Sequence, residues 1–310
     1  MPSQRSKVSC RRRVRGTAEA TTTPASWLSA RQPAVPFCLC RPRCLPPAAP
    51  SPRFAGGRAW VLAGHGAWAE RPRLRRYRRL ERDRGGDARA LAGGGARVAL
   101  LARRRERVQA LAEELGEAAL PLEADVRDLD ALRAAAEQDQ GGFGRVDCLV
   151  NNAGVMLNSP FRAGLVEEWR TIVETNLLGV LYATHVVVDD LCAGGGDVVN
   201  LSSVAGRKAR PATNVYAATK HGVTGWSDAL RQELLEHDVR VVCVEPGAVA
   251  TELPEHISYP ETRQETEALY HGRSEILAAE DVASLIVYAV TAPERVSVNE
   301  VLLRPLRQVN

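Results

Sequence analysis

Tyr216 and Lys220 form a Y-x3-K pair. At i, i+4 the two side chains share one face of a helix. A phenol beside an ammonium is a proton-transfer pair, because the cation favours the phenolate and lowers a pKa that otherwise lies at about 10. Alone, such a pair is a common surface feature, but its surroundings here are not common. Ser203 lies thirteen residues upstream in N-L-S-S-V-A-G, where an apolar run ends. Asn151, Asn152, Ala153 and Gly154 close a second apolar run. Pro246 and Gly247 close a third and lead into Ala248, Val249, Ala250 and Thr251. Asn176 sits inside a helical stretch, T-N-L-L-G. Parallel α/β sheets place their chemistry at the C-terminal ends of the strands, so these segments are expected to converge there.

The elements that must position them can be read from about residue 94 onward. Strands are expected at 96–102, 119–124, 146–150, 197–201, 239–244 and 297–303. Between them, amphipathic or apolar helices are expected at 103–116, 128–140, 166–192, 214–236 and 280–291. Apolar strands alternating with helices imply a parallel sheet covered on both faces. Right-handed crossovers make it doubly wound, and 210 residues suffice for one such domain.

Taken together, NNAG, Ser203 with Y-x3-K, the helical Asn176 and P-G-A-V-A-T resemble the short-chain dehydrogenase/reductase family over roughly 94–310. The resemblance implies a single Rossmann domain and hydride transfer between a nicotinamide cofactor and a small alcohol or carbonyl compound. It implies that Tyr216 is the acid/base and that Lys220 tunes it and donates to the nicotinamide ribose. Ser203 would hold the substrate oxygen, and Asn176 would hold a water linking Lys220 to solvent. Asp125 and Val126 would hold the adenine ring. Asn152, Ala153 and Gly154 would line the adenosine side, and Pro246, Gly247, Val249 and Thr251 the nicotinamide. The final stretch, A-P-E-R-V-S-V-N-E-V-L-L-R-P-L-R-Q, resembles a bacterial branch of NADP-dependent 3-hydroxy-acid and serine dehydrogenases and a clavulanate-pathway aldehyde reductase.

Cofactor choice is legible where the second strand of such a fold ends. A carboxylate there would bind the ribose diol of NAD(H) and repel a 2′-phosphate. This chain has Arg103, Arg104 and Arg105 instead. Guanidinium matches phosphate in charge and geometry, so NADP(H) is expected over NAD(H). Arg207, Lys208 and Arg210, between Ser203 and Tyr216, hint at an anionic substrate or form a solvated basic loop. The lid of the pocket is expected from 252–275, which carries His256, Tyr259, Arg263, Tyr270 and His271. The family resemblance implies a homodimer or homotetramer built through the helices at 166–192 and 214–236.

The N-terminal third is a different kind of sequence. Residues 1–100 hold 20 Arg and 1 Lys against 5 acidic residues, whereas 101–310 hold 20 basic and 32 acidic. The overall charge of +4 therefore averages two unlike parts. The acidic part argues against nucleic acid or an anionic membrane as main partner. No transmembrane helix is expected, because no run of 18 apolar residues occurs. Cys148, Cys192 and Cys243 lie in apolar stretches and are expected to be reduced, which fits the cytoplasm. Cys38, Cys40 and Cys44 have no nearby His to complete a metal site, and no metal is expected.

Residues 1–56 are rich in Pro, Arg, Ser and Ala and are expected to be disordered or spurious. An Arg-rich, acid-poor leader also has the composition of a transit peptide. Residues 57–93 are an atypical start to the domain that runs over 94–310. The phosphate loop of the family, T-G-x3-G-x-G, is absent, and residues 75–87 read R-R-Y-R-R-L-E-R-D-R-G-G-D. Without it the fold lacks its glycine turn and its first, central strand. Gly64 and Gly66 lie too far upstream to substitute. Read one base forward with G/C-rich codons, 76–87 becomes G-T-G-A-S-S-G-I-G-A-A-T, with glycines at positions 78, 82 and 84. The wobble bases are free, but every constrained base agrees. A frameshift corrected near 87–88 is therefore expected. The alternative is a non-catalytic protein of this fold that has lost its phosphate loop.

Overall fold

The apolar runs become strands buried on both faces, and the runs between them become the helices that cover them. The computed structural model describes residues 58–62, 85–271 and 276–308, which belong to one compact unit. Its strands are β1 (Arg58–Leu62), β2 (Arg97–Ala102), β3 (Ala119–Glu123), β4 (Cys148–Asn151), β5 (Gly196–Leu201), β6 (Val239–Pro246) and β7 (Glu300–Leu303). They form one sheet in the order β3-β2-β1-β4-β5-β6-β7, and every pairing is parallel. The helices are α1 (Gly86–Gly93), α2 (Arg105–Leu115), α3 (Leu129–Gly142), α4 (Val166–Val173), α5 (Gly179–Gly194), α6 (Asn214–Glu233), α7 (Pro260–His271) and α8 (Ala279–Thr291).

Side chains alternate across the sheet, as the two-residue strand period requires. Ala59, Val61, Val98, Leu100, Val150 and Val199 join the core under α1, α2 and α8. Trp60, Leu62, Ala99, Leu101, Leu149 and Val198 join the core under α3, α5 and α6. Burial on both faces is why the strands read as continuous apolar runs. Two polar devices pin register inside this core. Arg240 of β6 faces Asp197 of β5 and bonds it through Nε at 2.7 Å and Nη2 at 2.9 Å. Asn151 of β4 faces Asn200 of β5 and donates to its Oδ1 at 2.8 Å, while Asn200 donates to Ser227 of α6 at 2.9 Å.

One expectation is overturned. The central strand is not missing, because residues 58–62 (RAWVL) fill it as β1, in register with Arg97–Leu101 on one side and Cys148–Asn151 on the other. The segment suits the position: Ala59, Trp60, Val61 and Leu62 are all buried, and the Trp60 indole donates to Asp139 of α3. Its distance from β2 is much longer than a glycine turn needs, which hid it in the sequence. The leader 1–56, Cys38, Cys40, Cys44, Gly64, Gly66 and the altered phosphate-loop segment up to residue 84 lie outside the described residues.

A second correction concerns the helix expected at 166–192. It is interrupted by a π-helical turn at Glu174–Leu178, between α4 and α5. The run 166–194 is long and apolar enough to cross a membrane by length and composition alone. Its apolar residues Val180, Ala183, Val187 and Leu191 are instead buried, the last three against the sheet.

Candidate active site

The sheet winds outward in both directions from β1, and the crevice above β1 and β4 is where such folds bind ligands. Ser203 follows β5 directly. Tyr216 and Lys220 lie one turn apart on α6, and both are buried, at 8% and 6% exposure. Lys220 Nζ donates to the carbonyl of Leu201 at 2.6 Å and stands 5.9 Å from the centroid of the Tyr216 ring. Ser203 is extended, and its hydroxyl accepts from the amide of Ala205 at 3.1 Å. Ser203 also lies near enough to Tyr216 to favour its phenolate. The three residues that the sequence grouped are therefore in one place, and all three line one cavity of about 350 Å³.

Burial dominates the electrostatics. It pushes the Tyr216 phenol above its ordinary value, against the opposing influence of Ser203. It pulls the Lys220 ammonium down to about 8. The ammonium is directed at the Leu201 carbonyl, and both groups have lost their hydration.

Asn176 lies in the π-helical turn and is fully buried. Its Oδ1 accepts from the Val155 amide at 2.8 Å, and its Nδ2 donates to the Val155 carbonyl at 2.8 Å. Both ends of the carboxamide are thus committed to the strip that follows NNAG. This side chain positions the loop, and its Nδ2 also reaches the Thr219 hydroxyl of α6 at 3.4 Å. Between them sits Gly154, where a Cβ would stand 3.4 Å from Asn176 Oδ1 and 3.8 Å from Lys220 Nζ.

On the cofactor side, Asn152, Gly154, Pro246, Gly247, Val249 and Thr251 line the same cavity. Ala153 is buried against the sheet. The strip after β6 is fixed from behind: the Ala250 amide donates to Leu277 at 2.8 Å, and the Ala248 amide to Gln308 at 2.9 Å. Val126 is buried and packs against Gly179, where a Cβ would approach it within 2.8 Å. Asp125 accepts from Arg127 Nη2 at 2.8 Å and lies 3.8 Å from Arg103. Burial opposes its ionisation, but Arg127 and Arg103 together hold its pKa below the usual carboxylate value. Arg103, Arg104 and Arg105 are exposed beyond the end of β2.

These residues fit a nicotinamide dinucleotide at its nicotinamide end, where a side-chain-free Gly154 leaves room beside Lys220. The phosphate end fits poorly. Asp87, in the first turn of α1, is buried, lines the cavity and accepts from Asn152 at 2.8 Å. Burial raises its pKa to about 7. A carboxylate at a helix N-terminus stands where phosphate would bind.

Sequence reasoning missed Asp87, Glu245, Asn158 and Gln308. Glu245 immediately precedes Pro246, and that adjacency was its only signal. Arg207, grouped in the sequence with Lys208 and Arg210, is bonded to Glu245 and Glu300. Lys208 and Arg210 do line the cavity.

Comparison with known proteins agrees with this geometry. The short chain dehydrogenase family model matches residues 87–261. A serine 3-dehydrogenase of Agrobacterium fabrum is 36% identical over 222 residues, covering 71% of this chain and 88% of that protein. Sulfoacetaldehyde reductase 2 of Chromohalobacter salexigens is 38% identical over 226 residues, covering 71% and 89%. The closed form of a serine dehydrogenase complexed with NADP+ superposes with a TM-score of 0.69 at 28% identity, over 82% of this chain and 96% of that one. With its parallel sheet, its strand-end cavity and these relatives, the chain belongs to the short-chain dehydrogenase/reductase family of oxidoreductases.

Proposed function

We propose that this chain interconverts a small alcohol and its aldehyde or ketone with NADP(H), using Tyr216 as the acid/base. The observation that carries this reading is the meeting of Ser203, Tyr216 and Lys220 in one cavity at the strand ends. A bound nicotinamide supplies or accepts the hydride. Ser203 donates a hydrogen bond to the substrate oxygen and fixes it against the phenol. Burial keeps the Tyr216 phenol protonated at neutral pH, so in the reductive direction it delivers its proton to that oxygen. Lys220 lines the cavity, holds a positive charge below about pH 8 and would donate to the nicotinamide ribose. Asn176 is a positioning residue that keeps the NNAG strip against α6.

The NADP(H) preference rests on Arg103 and Arg104. Both are exposed at the end of β2, and a guanidinium there pairs with a 2′-phosphate. The NADP+ bound by the similar serine dehydrogenase supports the same choice. The acids named for the relatives, serine and sulfoacetaldehyde, support a small polar acid as substrate, with Lys208 and Arg210 at the cavity wall. A cytoplasmic homodimer or homotetramer is the assembly we infer for it.

We also propose that residues up to about 87 are read in a shifted frame. Three observations support this. The family match begins at Asp87, where the proposed frame is restored. The relative alignments leave about a tenth of those proteins unmatched. The one described residue of the segment that reaches the cavity, Asp87, is a buried carboxylate at the phosphate end, and the shifted frame replaces it with threonine.

Fluorescence titration with NADPH and NADH tests both proposals. Two chains are compared, one as given and one carrying G-T-G-A-S-S-G-I-G-A-A-T at 76–87. Binding by the restored chain alone, with NADPH preferred, is the expected result. Equal binding by the chain as given overturns the frameshift. Binding by neither favours the non-catalytic alternative.

A further inference from the structure

The strip that follows Gly154 crosses the strand ends without regular secondary structure and carries Asn158. Asn158 is 5% exposed and lines the cavity, yet its Oδ1 has no hydrogen-bond partner among the described residues. A buried acceptor without a donor is destabilising, and native folds rarely retain one without a use for it. The position is also rigid: Asn176 clamps Val155 before it, and Asn214 Nδ2 donates to the carbonyl of Ser159 after it, at 3.1 Å. The strip is therefore held to the start of the helix that carries Tyr216.

The rest of the cavity wall divides by charge. Lys208 and Arg210 line it from the loop before α6, and Glu265 lines it from α7. That loop is itself constrained. Ala212 has φ +62, a conformation that L residues rarely adopt, and the Thr213 hydroxyl bonds both the amide and the carbonyl of Arg210 at 3.0 and 2.8 Å. Tyr270 of α7 lines the same space, and burial together with Tyr216 pushes its hydroxyl up to about 12, so it stays a neutral donor. Cations, a carboxylate and an unmatched carbonyl around one small cavity complement a small acid that also bears a hydrogen-bond donor.

We infer that Asn158 is a substrate-binding residue that accepts a hydrogen bond from an amino or hydroxyl group beside the reacting carbinol of a small acid, whose acid group faces Lys208 and Arg210. This rests on reading the cavity as the substrate site, and it adds the group that the substrate must carry.

Ligand-observed saturation-transfer NMR on the full chain, without cofactor, tests it. The probes are serine, which carries an amino donor, glycerate, which carries a hydroxyl donor, and 3-hydroxypropanoate, which carries neither. We expect serine or glycerate to bind about tenfold more tightly than 3-hydroxypropanoate. Asn158→Leu abolishes that difference and leaves 3-hydroxypropanoate unchanged. Asn158→Asp, of the same shape and still an acceptor, retains the preference and controls for folding. If the parent binds all three alike, or if Asn158→Leu weakens all three equally or none, this inference fails alone. If the parent binds none of the three, the substrate reading of the cavity fails as well.

Discussion

Arg207 and Glu245 form an ion pair that ties the loop after Ser203 to the end of β6, and its carboxylate is wholly buried. The second oxygen of Glu245 accepts from Thr224 of α6 at 3.2 Å, and Thr224 meets the Ser202 hydroxyl at 2.9 Å. Ser202 in turn donates to the carbonyl of Lys220 at 3.0 Å. One chain of bonds thus joins three segments: the one holding Ser203, the one holding Lys220 and the one beginning Pro246–Gly247. Arg207→Ala leaves an unpaired buried charge and is expected to cost about 2 kcal/mol, less than a fully buried pair because Arg207 is half in solvent. Arg207→Lys recovers part of it. Denaturant melts measure the stability, and cofactor titration shows whether NADPH affinity falls with it. An Arg207→Ala protein as stable as the parent contradicts the pairing.

Tyr216→Phe removes the proton donor but keeps the ring that packs with Val155, Met156, Ile172 and Ile257. Turnover is expected to fall by about 10²–10⁴-fold with NADPH binding retained. Steady-state rates paired with cofactor titration check this. Retained turnover in that variant removes Tyr216 from the chemistry.

Lys220 is pulled down to about 8 by burial, so its positive charge is lost as pH rises through that value. The reductive rate is therefore expected to decline above about pH 8. Lys220→Arg keeps the charge at every accessible pH, which moves the declining limb upward even if the overall rate drops. A limb at the same pH in both proteins assigns it to another group.

Arg103→Ala and Arg104→Ala, made together, are expected to weaken NADPH by about tenfold or more and to leave NADH nearly unchanged, since charge-assisted phosphate contacts are worth about 1.5–3 kcal/mol. Because both are exposed, the NADPH effect should shrink at high salt. Titrations with both cofactors at two salt concentrations decide it, and equal loss for both refutes phosphate recognition.

Asp87 predicts a pH-dependent stability. Its carboxyl is raised by burial from 3.8 to about 7. Between those values the folded chain holds a proton that the unfolded chain releases. The contribution of Asp87 to stability is therefore greatest below about pH 4 and falls as pH rises to about 7, by at most about 1.4 kcal/mol per unit. Asp87→Asn removes that slope. Chemical denaturation across this range, on parent and variant, shows it directly.

The strands and helices from residue 96 onward were legible because apolar runs and amphipathic runs alternate without interruption. Ser203, Tyr216, Lys220 and Asn176 were legible because their spacing is unusual as a set. Three kinds of fact were not. β1 was hidden because a short apolar run carries no sign of its distant partners, and its link to α1 is long. Glu245 and Asp87 were hidden because a carboxylate in sequence gives no measure of burial. The π-helical turn was hidden because one extra residue per turn leaves the apolar pattern of 166–194 almost unchanged. Asn176 read as a helical residue with a bound water, and only the fold shows its amide closed on Val155.

β1 is the sole described link between the two halves of the sheet, pairing with β2 on one side and β4 on the other. A chain beginning after Leu62 would keep both halves but leave two adjacent, apolar strands with open rows of backbone donors and acceptors. Such rows recruit strands from other molecules. A shortened protein that starts at α1 should therefore be lost to self-association before any question of catalysis arises, and any working form must place a five-residue apolar segment into that slot, whichever reading frame encodes it.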